Sequence, residues 1–340
     1  MASLAVSVLM PVYNAAATLD EALASLAAQM HPAVEWVVVD DGSTDATPQI
    51  LEAWQRRVPF LRVLRGPHQG VARALQMGLE ACRAPYIARM DADDWADPTR
   101  FDLQAKFLAA HPDVAVVGSR VRLHPQGFQG GGMQAYLDWQ NRLLSNEDIR
   151  REIFIESPFV HPSVMFRRDA VLAVGGYRHG PWLEDYDLWL RLYLAGARFA
   201  KLPQVLLAWR DHAQRVTRTD SRASLENMLR LKAAYLAQGP LQARDAVIVW
   251  GAGMAGRRLS KHLLREGVPL VAFVDVDPRK IGRTRRGKPI YAAEDLPALW
   301  AQHRNPAVVV AVGARTAKDL IRPRLTDWGL REGKDWWFAA

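Results

Sequence analysis

Cysteine is almost absent. Cys82 is the single one among 340 residues. That excludes an intrachain disulfide and a cysteine-built metal site, and it makes the cytoplasm the expected location. Long apolar runs are also missing, since no stretch approaches the ~18 residues of a membrane span. The first residues, Met1-Ala-Ser-Leu-Ala-Val6, have no basic segment ahead of the apolar one, so a secretory leader is not expected. Acidic residues are in the minority, 36 Asp and Glu against 44 Lys and Arg, for a net charge of +8. Most of the excess is local. From Asp245 onward there are 17 basic and 10 acidic residues, and Arg279-Lys-Ile-Gly-Arg-Thr-Arg-Arg-Gly-Lys288 supplies much of it. Such a run suits an anionic ligand, a peripheral contact at the inner membrane face, or a solvated loop. The remaining composition is that of a globular protein long enough for two domains.

What the chain does have is three runs that begin apolar and β-rich and end abruptly in polar residues. They are Val6-Ser-Val-Leu-Met-Pro-Val-Tyr-Asn14, Val37-Val-Val-Asp-Asp-Gly-Ser-Thr-Asp45 and Met90-Asp-Ala-Asp-Asp94. As parallel strands they would set Asp40, Asp41, Asp91 and Asp93 at adjacent carboxyl ends, the edge of an open α/β sheet where ligands bind. Carboxylates on one rim repel unless they share a cation, and oxygen donors suit Mg²⁺ or Mn²⁺. Such a cation brings phosphates with it, so a metal–nucleotide site is the first expectation.

Strand and helix alternate around these runs. Leu19, Leu23, Leu26 and Met30 mark one helical stripe, and Asp45 and Pro48 suit the start of the next helix. The absence of hairpin signals predicts a parallel sheet with helices on both faces. Residues 124–132 hold four glycines and no periodicity, which predicts a loop or lid. Trp182–Tyr193 is a clear helix. Its inward stripe carries Asp185, Leu188, Trp189 and Leu192, while Asp187 faces Arg191 as an i,i+4 pair. Gln238-Gly-Pro240 then breaks the chain, which divides it into domains 1–240 and 241–340. In the second, Gly251-Ala-Gly-Met-Ala-Gly256 stands between a strand and a helix, and Asp275 ends the next strand. This is the context of a nucleotide-binding fingerprint. Gly251 and Gly253 would permit the turn and the approach of phosphate, Gly256 the packing of helix on strand, and Asp275 would take a ribose hydroxyl pair. With three strands in sight, the unit reads as half of a doubly wound domain. A docking or oligomerisation role stays open for it.

Over about residues 3–237 the chain resembles the family 2 glycosyltransferases, inverting enzymes of the GT-A fold. The resemblance rests on Pro11-Val-Tyr-Asn14, Asp40-Asp-Gly-Ser-Thr-Asp45, Asp91-Ala-Asp-Asp94 and the Glu184-Asp185 pair before Leu188-Trp-Leu-Arg-Leu192. At His68-Gln-Gly70 the sequence departs from the usual Asn before glycine. The Gln-x-x-Arg-Trp motif of processive synthases is missing, which favours one sugar per encounter. The resemblance implies a doubly wound, mostly parallel GT-A sheet followed by a small Rossmann-like α/β domain. It implies metal-dependent transfer of a sugar from a nucleoside diphosphate sugar, UDP-sugar favoured, to a saccharide or lipid-linked acceptor in cell-surface polysaccharide synthesis. Asp93 would bind the metal directly, and Asp91 would reach ribose or the metal through water. His212 would add a metal ligand and Arg215 a phosphate contact. Pro11, Tyr13, Asn14 and Asp41 would hold the nucleotide, with Tyr13 stacking on the base and Asp41 accepting a base N–H. Asp185 would be the general base, with Glu184 beside it. His161 and Ser163 would line the acceptor side, and Arg89 would be either a phosphate contact or a structural ion pair.

Two other activities are consistent with parts of the chain. A nucleotidyltransferase also uses a doubly wound sheet with acidic metal ligands, but would need a basic glycine-rich loop where Pro11-Val-Tyr-Asn-Ala-Ala-Ala17 stands. An NAD(P)-dependent oxidoreductase would place the activity in the C-terminal domain, where no acid–base pair is visible.

Overall fold

The computed structural model describes residues 4–125, 131–211, 220–313 and 316–340. It divides into two compact units, Met1–Ile149 with Pro158–Thr219, and Arg150–Ser157 with Asp220–Ala340. No helix among the described residues is long and apolar enough to cross a membrane.

The first unit is built on the strands β1 (Val6–Val12), β2 (Glu35–Asp40), β3 (Leu61–Arg65), β4 (Tyr86–Arg89), β5 (Trp95–Ala96), β6 (Val114–Leu123), β7 (Met165–Arg167) and β8 (Arg198–Trp209). They form one sheet in the order β3-β2-β1-β4-β7-β6-β8-β5. β3, β2, β1 and β4 are parallel, as are β6 and β8. β7 runs antiparallel between β4 and β6, and β5 antiparallel to β8. The sheet is thus mostly parallel, as expected, with these two strands as its antiparallel members. β5 has two residues and β7 three, too short for any periodicity, and their partners are remote in sequence.

Helices α1 (Leu19–Ala27), α2 (Thr47–Arg57), α3 (Val71–Ala81), α4 (Arg100–Ala110), α5 (Gly131–Gln140), α6 (Asn146–Glu152), α7 (Arg168–Ala173) and α8 (Glu184–Leu194) follow in chain order. β1 and β2 are buried at every position, as strands covered on both faces must be. Leu19, Leu23 and Leu26 of α1 join Val8, Met10 and Val38 in one apolar cluster. At α2 the Asp45 side chain accepts the Thr47 N–H at 2.9 Å, which satisfies one of the free donors of the first turn.

The second unit holds β9 (Ala246–Trp250), β10 (Leu270–Asp275), β11 (Thr284–Arg285), β12 (Lys288–Ala292), β13 (Pro306–Val310) and β14 (Trp336–Phe338). Their order is β11-β12-β10-β9-β13-β14. From β12 to β14 all pairs are parallel, and β11–β12 is a hairpin. The strand order reverses at β9, as in a doubly wound sheet with both halves present. The expected half-domain was therefore too small. β12 contains Pro289 and β14 is three residues long, so neither carries a strand signature. The core joins Ile248, Trp250, Val308, Trp336 and Phe338 to Leu296, Ile321 and Leu325. Ile155 packs against this cluster, and Lys232 Nζ donates to its carbonyl at 2.6 Å, which is why residues 150–157 belong here. The helix Leu225–Gln238 also belongs to this unit, although Gln238-Gly-Pro240 had suggested a boundary after it.

Candidate active site

Register places the carboxyl ends of three strands side by side. Val12 of β1 lies beside Asp40 of β2, and Leu9 beside Arg89 of β4. The polar residues that follow each strand meet on this rim.

The run after β2 is a framework for the loop after β1. Asn14 turns the chain in the left-handed region, at φ 48°. Its Oδ1 accepts the Thr44 N–H at 2.8 Å, and its own N–H donates to Ser43 Oγ at 2.9 Å. Asp45 accepts the Ala16 N–H, and Asp40 accepts the Ser43 N–H. Pro11 is buried inside β1, whereas Tyr13 is 46% exposed. The Tyr13 ring stacks on His68, with centroids 4.0 Å apart and planes at 23°. His68 Nδ1 in turn lies 2.9 Å from Asp41 Oδ2. The Asp41 carboxylate also accepts the N–H groups of Gln69 and Gly70 at 2.8 Å each, and Asp41 is only 6% exposed. It thus anchors the 68–70 loop and sets His68 against Tyr13. His68 had no role in the sequence reading, because no local pattern joins it to Tyr13.

Beyond β4, Asp91, Asp93 and Asp94 each offer a carboxylate oxygen within 4.8 Å of the others. Asp94 is an addition to the two acids expected from sequence. Asp94 Oδ1 accepts the Arg210 N–H at 2.8 Å, and Arg210 Nε donates to the Asp93 carbonyl at 2.9 Å. Arg210, directly after β8, also pairs with Glu21. Arg210 therefore ties this turn to the end of β8 and to α1. An all-oxygen donor set of this kind fits a hard divalent cation. His212 and Arg215 lie outside the described residues.

Arg89 is buried and ion-paired with Asp91, which decides between its two expected roles in favour of the structural pair. Its charge is also felt by Tyr177 and Glu184. One buried cation thus stands between the metal-type acids and the acids of α8. That helix is enclosed on almost every side. Of its residues only Asp185 and Leu194 are not buried. Asp187 holds Arg191 at 2.8 Å, the i,i+4 pair expected from the spacing, and both side chains are buried. Asp185 is consequently the least buried acid of the helix, partly rather than fully enclosed. Burial, and then the neighbouring Glu184 carboxylate, push the Asp185 carboxyl up to about 7, against the opposing pull of the Tyr186 N–H and Arg89. The Tyr186 N–H donates to its Oδ1 at 2.7 Å.

His161 is buried, and its Nε2 lies 2.8 Å from the Tyr177 hydroxyl. Burial and then Arg89 hold its imidazole neutral, well below the ordinary histidine range. Ser163 is fully buried, and its hydroxyl donates to the Val160 carbonyl at 2.7 Å. It closes a turn and cannot line an acceptor pocket, which corrects that expectation.

In the second unit the three fingerprint glycines differ in kind. Gly251 sits at φ 110°, and a Cβ there would lie 2.6 Å from the Ala311 carbonyl oxygen. A Cβ on Gly256 would lie 1.7 Å from the Gly251 carbonyl oxygen. Both positions need glycine for the fold. A Cβ on Gly253 would meet only Lys280 Nζ, at 3.9 Å, so packing alone does not demand glycine there. Asp275 is turned into this loop. Its Oδ2 accepts the Ala252 N–H at 2.7 Å, its Oδ1 the Asp277 N–H at 2.9 Å, and Lys280 Nζ lies 3.3 Å from both oxygens.

Comparison with known proteins agrees with the first unit's architecture. The family model described as glycosyl transferase family 2 matches residues 7–175. The amylovoran biosynthesis glycosyltransferase AmsE of Erwinia amylovora is 35% identical over 216 residues, covering 62% of this chain and 78% of that protein. The UDP-Gal:alpha-D-GlcNAc-diphosphoundecaprenol beta-1,3-galactosyltransferase of Escherichia coli is 28% identical over 207 residues, covering 60% and 73%. Among solved structures, residues 1–349 of S. aureus TarS in complex with UDP-GlcNAc superpose with a TM-score of 0.56 at 20% identity, covering 77% of this chain and 72% of that one. The chain spans 43% of the longer TarS chain. The TarS likeness supports a GT-A fold.

Proposed function

The chain belongs to glycosyl transferase family 2 and is a glycosyltransferase, and on that premise we propose that it moves a sugar, with inversion, from a UDP-sugar to a hydroxyl of a saccharide or lipid-linked acceptor. The observation that carries this reading is Asp185. It is the least buried acid of an enclosed helix, and its carboxyl is pushed up to about 7. A base titrating near neutrality is well matched to taking a proton from an acceptor hydroxyl. As that proton moves to Asp185, the acceptor oxygen bonds to the anomeric carbon from the face opposite the leaving group. The bond from that carbon to the diphosphate breaks, and UDP leaves with the electron pair.

Asp91, Asp93 and Asp94 would hold a Mg²⁺ or Mn²⁺ ion, which supplies charge neutralisation for the departing diphosphate. Tyr13, backed by His68, offers a stacking face for the base, and Asp41 fixes the loop that carries His68. UDP as the donor nucleotide and a lipid-linked diphosphate acceptor are supported by the relative named for both. Such an acceptor suits a cytoplasmic enzyme working at the inner membrane face. The second unit holds a nucleotide at Gly251–Gly256, a reading supported by Gly253, for which packing gives no reason. Asp275 shapes that loop rather than waiting for a ribose.

The test is transfer by the full chain from a panel of UDP-sugars to a polyprenyl-diphosphate-linked monosaccharide in Mn²⁺. The anomer formed is read by NMR. An inverted linkage is expected, and a retained one would remove Asp185 as the base.

A further inference from the structure

The second unit carries a cleft that neither the transferase site nor the glycine fingerprint explains. It has a volume of about 470 Å³ and is lined by Glu226, Arg257, Arg258, Lys261, Thr284, Arg285 and Arg286. Five cationic side chains thus face one carboxylate. Glu226 is already taken, by an ion pair with Lys261 and by His262 Nε2 at 3.1 Å. Among the described residues the side chains of Arg257, Arg258 and Arg285 have no carboxylate partner. Arg285 Nε is buried without a hydrogen-bond partner. A buried guanidinium N–H left unpaired is costly, and like charges sharing one cavity add to that cost unless an anion joins them.

The cleft is built rather than incidental. One wall is the helix Met254–Arg265, and the other is the turn between β11 and β12. That turn places Arg286, a non-glycine residue, at φ 52°. Its side chain latches the turn to the helix. Nη2 donates to the Arg257 carbonyl at 2.8 Å, and Nε reaches the same carbonyl and Ser260 Oγ at 3.2 Å each. The turn and the latch together keep the strand end that carries Arg285 against the helix that carries Arg257 and Arg258, and all three line the cleft. The lining has no aromatic ring and does not include Gly251, Gly253 or Asp275. It is therefore suited to charge rather than to a base. Several guanidinium forks in one cavity favour paired phosphate oxygens over a single carboxylate.

We infer that this cleft is a binding site for a diphosphate group. The inference does not depend on the transferase reading, since every residue in it belongs to the second unit. The group could be carried by a soluble molecule or by the headgroup of a lipid. Both present the same chemistry to the cleft.

The experiment is calorimetric titration of inorganic pyrophosphate into the full chain. EDTA is present so that a metal-dependent site contributes nothing, and the ionic strength is physiological, where attraction is screened beyond ~8 Å. Saturable binding is expected, weakened by ~10-fold or more in the double variant Arg258→Ala and Arg285→Ala. Arg258→Lys with Arg285→Lys should fall between, since charge is kept and the forks are lost. The double variant Arg279→Ala and Arg304→Ala removes the same charge from exposed positions outside the cleft and should bind as wild type does. No heat from wild type, unchanged binding in the cleft variants, or equal weakening in the control pair would each overturn the proposal. Where pyrophosphate binds, phosphatidylcholine vesicles doped with a polyprenyl diphosphate separate the sources. Co-sedimentation competed by pyrophosphate identifies the lipid, and its absence identifies a soluble diphosphate.

Discussion

If Asp185 is the base, its ionisation should be written into both rate and stability. The carboxyl is pushed up to about 7, first by burial and then by Glu184. One pH unit below that value only about a tenth of the enzyme carries the ionised base, and each further unit lowers kcat/KM by another factor of ~10. Glu184→Gln removes the like charge while keeping the shape, so the acid limb should move to lower pH. Asp185→Asn should lower transfer by at least ~10² and leave UDP binding near wild type. The sign for stability is opposite to that of a salt-bridged acid. A folded-state value raised above the unfolded one means the folded chain holds the proton more tightly. Stability is then full below about pH 4 and falls as pH climbs to about 7. Asp185→Asn, which carries no charge to desolvate, should therefore melt higher than wild type at pH 8, with the gap closing toward pH 4. The assays are UDP release against pH at saturating metal and thermal melts at both ends of the range. A flat profile, a limb unmoved by Glu184→Gln, or an Asn variant that keeps most of its rate would refute the reasoning.

Arg89→Gln should destabilise the first unit by ~1–3 kcal/mol in denaturant unfolding, because it removes the partner of a partly buried Asp91 and the cation among buried groups; unchanged stability would mean the pair is not structural. Tyr13→Ala should weaken UDP binding by ~1–3 kcal/mol with little change in melting temperature, since the ring is 46% exposed; unchanged affinity would place the base elsewhere. Gly253→Val should fold normally, its Cβ meeting only Lys280 Nζ at 3.9 Å, yet abolish nucleotide binding to the second unit in calorimetry. A wild-type second unit that binds no nucleotide would leave that unit a docking role.

The residues legible from sequence were those where a strand stops. A buried run that ends in acids, as at Val39-Asp-Asp41 and Met90-Asp91, announces both its element and its rim position, and Asp91 and Asp93 were found that way. Features made by contact across the chain were not legible. The Tyr13–His68 stack and the grip of Asp41 on Gln69 and Gly70 join segments that no local pattern links. On α8 the i,i+4 spacing paired Asp187 with Arg191 as observed, but a helix enclosed on nearly all sides has no polar face to orient it, so periodicity did not show that this pair is buried. The strands β5, β7 and β14 are two or three residues long, below the length at which alternation can be recognised.

The most direct measurement is calorimetric titration of UDP into the full chain, with Mn²⁺ and again after EDTA, for wild type and Asp93→Ala. The carboxylates at Asp91, Asp93 and Asp94 predict saturable binding that requires the metal and is lost in the variant. Equally tight binding without metal, or binding unchanged in Asp93→Ala, would contradict a metal–nucleotide site on this rim.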